Sequence, residues 1–205
     1  MILFAADEVC LHYPGRPAPS VRNMTLTIHK GESLRLTGPS GAGKTSVMRL
    51  IAGLERPTTG RIAALPRRIG IAFAEPRLLP RLSVMENLLF VVPQAAAEAA
   101  RMLDALDMES HRDSPAVSLS KGQAQRVALV RALIGHPEIL LLDEALGGLD
   151  TATWRLARDL VQRRRAEDGF ALVEISHDPA RLFMPDAHAV PLARPNQVSR
   201  SQMTS

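Results

Sequence analysis

This sequence has little that would support a disulfide, a membrane span or a surface for stacking bases. Its one cysteine, Cys10, cannot close an intrachain disulfide, which suits a reducing cytoplasm. No apolar run approaches the roughly 18 residues that a membrane-spanning helix needs. A role at a membrane would therefore require docking on separate membrane subunits. The opening Met1-Ile2-Leu3-Phe4-Ala5-Ala6-Asp7-Glu8 has no basic segment before its apolar residues and meets acids at once, unlike a secretory signal. Aromatic residues make up 3% of the chain and no arginine cluster is interleaved with them, which argues against nucleic acid as a partner. Lysine is scarce as well. Of 25 basic residues, only Lys30, Lys44 and Lys121 are lysines.

The rest is ordinary for a globular protein. In 205 residues, 46% are hydrophobic and 22% charged, and the formal charge is +4. That is enough for one sizeable core with a small subdomain attached. There is no internal repeat or long linker, so residues 1–205 read as one domain.

Short alternating apolar runs around a Pro14-Gly15 turn predict β-strands over about residues 1 to 35. Leu34-Arg35-Leu36-Thr37 reads as a strand, with Arg35 placed near its start or at a sheet edge because a doubly buried strand excludes charge. Val47, Leu50, Ile51 and Leu54 then recur at helical spacing. A second helical region runs from Ser83 to about Leu106, broken at Pro93, and a third starts at Ser120 and stops at Gly135-His136-Pro137. Two buried strands, Ile139–Leu142 and Ala171–Ile175, flank a helix over about Thr151 to Asp168. The alternation predicts an α/β fold with a mostly parallel sheet, and residues of about 76 to 134 read as a helical insertion.

Between the Leu34–Thr37 strand and the helix after it lies Gly38-Pro39-Ser40-Gly41-Ala42-Gly43-Lys44-Thr45, which has the P-loop spacing G-x-x-x-x-G-K-[ST]. Its glycines let successive N–H groups turn inward on phosphates, with the helix dipole behind them. Lys44 supplies a slim point charge for the β- and γ-phosphates, Thr45 a hydroxyl for Mg²⁺, and Ser46 further phosphate contacts. Asp143 ends an apolar strand, where an unpaired carboxylate is costly and a bound Mg²⁺ resolves the cost. Glu144 follows, placed to take a proton from an attacking water. His177 stands after a strand's carboxyl end in Ser176-His177-Asp178-Pro179. Leu119-Ser120-Lys121-Gly122-Gln123 opens a helix with a hydroxyl and glycine N–H groups, which suits a second anion site.

In this order the motifs resemble those of the nucleotide-binding subunit of ATP-binding cassette (ABC) transporters, over almost the whole chain. The resemblance implies a P-loop NTPase core of RecA-like type, an N-terminal antiparallel β subdomain and an inserted helical subdomain. It implies ATP and Mg²⁺ as ligands and a head-to-tail pair of copies. Each ATP would lie between the P-loop of one copy and Ser120, Gly122 and Gln123 of the other. By the same resemblance Tyr13 stacks on adenine, His177 contacts the γ-phosphate, and Asp150, in Gly147-Gly148-Leu149-Asp150, couples the two sites. The implied setting is the cytoplasmic face of the membrane, with permease subunits and a solute-binding protein as partners.

Glu75-Pro76-Arg77-Leu78-Leu79-Pro80 and Val84-Met85-Glu86-Asn87-Leu88 look most like the importer ATPases of the nitrate, sulfonate and taurine group. An exporter ATPase, a soluble ABC-type clamp on nucleic acid or ribosomes, and a catalytically weak structural partner remain as alternatives. The sequence departs from the family pattern at Ala74, where a glutamine normally contacts Mg²⁺ and the lytic water. It departs again at Lys121, a glycine in the usual signature, and at Ala145, commonly a proline.

Overall fold

The computed structural model describes residues 1–176, 178 and 181–193. The first three strands are β1 (Ile2–Leu11), β2 (Val21–His29) and β3 (Ser33–Thr37). They are followed by α1 (Lys44–Ile51), β4 (Thr59–Ala64) and β5 (Ile69–Phe73). Between β5 and β6 (Ile139–Asp143) lie α2 (Val84–Leu89), α3 (Ala96–Asp104), two single 3-10 turns and α4 (Lys121–Leu133). α5 (Thr151–Asp168), β7 (Ala171–Ile175) and β8 (His188–Pro191) complete the described chain.

Two sheets result. β1 pairs antiparallel with β2 on one side and β4 on the other. The second sheet runs β5-β6-β7-β3-β8, with its pairs parallel. β6 and β7 are buried along all five residues of each, so both of their faces carry core. Ile139, Leu141, Val173 and Ile175 join α1 and the antiparallel sheet on one face. Leu140, Leu142 and Leu172 join α2 to α5 on the other. This is the architecture expected for a P-loop NTPase with an antiparallel β subdomain.

The helix ends follow local chemistry. Ser83 and Glu86 form a reciprocal capping box at the start of α2, and Ser120 and Gln123 form another at α4. α5 starts on Asp150 and stops at Gly169, whose φ of 67° suits glycine. The break expected at Pro93 falls between α2 and α3.

The structure corrects the expectation for Arg35. It lies mid-strand in β3, which is flanked by β7 and β8 and is not an edge. Its register partner on β7 is Glu174, and the two side chains are 3.9 Å apart. An acid on the neighbouring strand makes the position tolerable.

Candidate functional site

The loop between β3 and α1 turns where only glycine fits. At Gly43 φ is 90°, and an added Cβ would lie 2.0 Å from the carbonyl oxygen of Ser20. At Gly38 φ is 135°, and a Cβ would lie 2.3 Å from the oxygen of Leu192. The loop is thus wedged between the chain leading into β2 and the chain leaving β8. Ala42 is buried beneath it, and the Ala42 N–H closes a turn on the Pro39 oxygen at 3.1 Å. The Lys44 ammonium lies over the loop and donates to the oxygens of Gly38 at 2.8 Å and Pro39 at 3.1 Å.

An open cavity of about 340 Å³ faces this loop and is bounded by Tyr13, Ser40, Gly41, Lys44, Thr45 and Glu144, with Ser46 also on its wall. Tyr13 is half-buried and packs against the β1–β2 core, so its ring forms one wall of the cavity. Asp143 is 8% exposed at the end of β6, with the Thr45 hydroxyl near its carboxylate. Burial pushes the Asp143 pKa up, and the Glu144 charge adds to this. The Thr45 hydroxyl and the Arg49 and Lys44 charges pull it down. A buried carboxylate beside a hydroxyl is a donor set that a hard, oxygen-seeking cation such as Mg²⁺ fits.

Glu144 lies one residue past β6 and is exposed, with φ of 50° in the left-handed region. Its N–H donates to the Ile175 oxygen at 3.1 Å, which fixes its place against β7. Non-glycine residues seldom adopt this backbone conformation, and such strain gathers at functional sites. Ala145 behind it is buried, and the following turn closes through the Gly147 N–H on the Glu144 oxygen at 3.3 Å.

Ser120, Gly122, Gln123 and Asp150 do not line this cavity. The Ser120 hydroxyl accepts the Gln123 N–H at 3.3 Å. The Gln123 side-chain oxygen accepts the Ser120 N–H at 2.8 Å, and its amide nitrogen meets His111 Nε2 at 2.8 Å. Asp150 caps α5 through the N–H groups of Ala152 and Thr153 at 2.9 and 3.0 Å and the Thr153 hydroxyl at 2.6 Å. Those bonds, the Thr153 hydroxyl first, hold its carboxyl below the usual range. His177 lies outside the described residues.

A second cavity, of about 560 Å³, is also bounded by Glu144, together with Ala74, Lys121, Gln125, Gly148 and Glu174. Glu75 does not turn toward the nucleotide side of the site; its carboxylate meets the Lys121 ammonium at 3.2 Å. Gln125, Glu174 and Arg181 are residues that the motif reading missed. Gln125 is 3% exposed, and its amide donates to the Ala74 oxygen at 3.4 Å. Arg181 donates to the Leu149 oxygen at 2.5 Å. A charged residue inside the apolar run Ala171-Leu172-Val173-Glu174-Ile175 was the one visible signal.

Residues 21–147 match the family model described as ABC transporter. The chain belongs to that family. Among curated relatives of this cassette, the aliphatic sulfonates import ATP-binding protein of Nocardia farcinica is 42% identical over 77% of this chain and 64% of its own length. Its counterpart from Xanthomonas axonopodis pv. citri is 35% identical, over 89% of this chain and 79% of that protein. The cassette thus spans just under two thirds of the first relative. Among solved structures, a dimeric ATP-binding cassette in a post-hydrolysis state with ADP and Pi superposes with a TM-score of 0.82. It is 26% identical, over 93% of this chain and 94% of that one. No helix among the described residues is long and apolar enough to cross a membrane.

Proposed function

We propose that this cassette is the ATP-binding and ATP-hydrolysing subunit of an ABC importer, acting as a head-to-tail pair on separate membrane subunits at the cytoplasmic face. The observation that carries the reading is one cavity joining the Gly38–Thr45 loop to Glu144, with Thr45 and the buried Asp143 side by side at it. Lys44 leaves the Gly38 and Pro39 oxygens for the β- and γ-phosphates, and the loop N–H groups bind the remaining oxygens. Thr45 and Asp143 hold Mg²⁺, which when bound spreads the charge of the transferring phosphoryl group. Glu144 orients the attacking water and takes its proton. Tyr13 stacks on the adenine, and His177 contacts the γ-phosphate.

The second-copy reading rests on the separation of the two anion sites. Ser120, Gly122 and Gln123 stand at a helix N-terminus away from the P-loop cavity, so they serve the ATP of the other copy. Asp150, at the start of α5, lies in the segment that couples the two sites. Names of the relatives point to aliphatic sulfonates as the first cargo class to test. A solute-binding protein outside the membrane accompanies that role.

The test is Glu144→Gln. Removing the base while leaving the phosphate loop intact should abolish phosphate release and shift the protein from monomer to dimer in gel filtration with Mg-ATP. Undiminished hydrolysis by this variant would overturn the assignment of Glu144.

A further inference from the structure

The segment 74–77 is fastened to α4 along its length. The Gln125 amide holds the Ala74 oxygen at 3.4 Å. Arg131 donates to the Pro76 oxygen at 2.7 Å and to the Arg77 oxygen at 2.8 Å. These ties come from buried or half-buried side chains, and opening them would strand polar groups away from water. The contact between Lys121 and Glu75 is of another kind. Both side chains are mostly in solvent, 63% and 75% exposed. An exposed ion pair is weakened by water and salt, so it opens easily.

Lys121 also stands where a cation is poorly placed. It is the first residue of α4, and the first turn holds no acid to offset it. The positive end of the helix dipole disfavours an ammonium there and favours an anion. Lysine occurs at only two other positions in the chain, Lys30 and Lys44. Its neighbours Ser120 and Gly122 are the residues read above as facing the ATP of the second copy. An anion arriving at that point satisfies the helix terminus and the ammonium together. A multiply charged phosphate does so more strongly than one carboxylate.

We propose that Lys121 is an exchangeable tie. In the separate subunit Glu75 holds it; when two subunits close, the γ-phosphate of the second copy's ATP takes it. The exchange frees Glu75 and loosens one corner of the segment 74–77, while Gln125 and Arg131 keep the rest on α4. The proposal rests on the paired-subunit reading. Ala74 gives the tie a purpose, because a methyl group cannot reach the nucleotide, whereas the charge on Glu75 still senses the γ-phosphate through Lys121. ADP has no γ-phosphate, so with ADP the ammonium stays on Glu75.

The experiment uses the full chain carrying Glu144→Gln, with dimer formation titrated by Mg-ATP in analytical ultracentrifugation. Adding Glu75→Gln should lower the ATP concentration for half-maximal dimer about threefold, since the competitor for Lys121 is gone. Adding Lys121→Gln should raise it about tenfold, and Lys121→Arg should restore most of the loss. The variant carrying both Glu75→Gln and Lys121→Gln should match Lys121→Gln alone, because Glu75 acts only through Lys121. No variant should dimerise with ADP. If Glu75→Gln has no effect, or has the same effect once Lys121 is glutamine, the exchange is overturned while pairing stands. If the Glu144→Gln chain itself fails to pair with Mg-ATP, the pairing reading falls and the exchange falls with it.

Discussion

Glu174 on β7 and Arg35 on β3 are register partners that set a carboxylate, in a residue 1% exposed, 3.9 Å from a guanidinium. At that separation the charges attract without sharing a proton. Glu174 Oε2 instead accepts the Phe183 N–H at 3.2 Å and ties the chain beyond β7 back to the sheet. Burial pushes the Glu174 pKa up from its ordinary 4.5, against weaker downward pulls from the Phe183 N–H and the Arg35 charge. An acid with a raised folded pKa favours the folded state in its protonated form. That contribution is full below the unfolded value and is lost as pH rises through the folded value. Glu174→Gln keeps an acceptor for Phe183 and removes the titration. Its melting temperature should exceed the parent's at pH 8, by a margin that shrinks as pH falls toward 4.5. A margin independent of pH would show that Glu174 does not titrate across this range.

Gly43→Ala tests the wedge under the phosphate loop. The new methyl would meet the Ser20 oxygen at 2.0 Å in a backbone conformation with φ of 90°. Overpacking and the positive φ together should cost about 2–4 kcal/mol. Nucleotide affinity should fall with stability. Denaturant unfolding and a fluorescent-nucleotide titration measure both, and a variant normal in each would refute the close approach.

Ser120→Ala separates the two anion sites. Losing the cap of α4 should cost about 1 kcal/mol. ATP binding by a single subunit should stay within about twofold of the parent, while ATP-driven pairing weakens by about tenfold. Lys44→Ala should instead lower single-subunit affinity about a hundredfold or more, since the triphosphate loses its main point charge. Equal loss of single-subunit affinity in both variants would rule out a site shared between copies.

Ala74→Gln probes the departure from the family pattern. Ala74 borders the cavity of about 560 Å³ that also meets Glu144, so an added amide has space to enter. Hydrolysis by the purified subunit should rise about tenfold, which corresponds to about 1.4 kcal/mol off the barrier. A fall in rate would mean that the site has been built around the small side chain. Rates identical to the parent, in ATP hydrolysis and in transport, would place residue 74 outside the site.

Most of the sheet could be read from the sequence because β6 and β7 are uninterrupted apolar runs, and because Leu34 and Leu36 lead straight into a glycine-rich turn. β4 and β8 could not. They are largely exposed, and their residues, Thr59–Ala64 and His188–Pro191, carry no buried stripe to give them a period. The P-loop, Asp143 and Glu144 were legible because each sits at a fixed place relative to a strand end. Pairings such as Arg35 with Glu174, or Gln125 with the Ala74 oxygen, join distant parts of the chain. No local periodicity records such contacts. Lys121 was visible as a residue out of pattern, but its partner Glu75 became evident only once α4 was laid beside the segment after β5.

The Ser20 oxygen that crowds Gly43 belongs to the connection between β1 and β2, and the Ser20 N–H is itself anchored to the Leu11 oxygen at 2.7 Å. One carbonyl therefore forms the floor of the phosphate loop and is positioned by the end of β1, the central strand of the small antiparallel sheet. A shift of that sheet by a few tenths of an ångström would be felt at once in the curvature of the loop. The N-terminal strands thus act as a set-screw on phosphate affinity. Substitutions at Leu11, or at Val21 whose side chain packs beside Gly43, would retune how tightly the triphosphate is held.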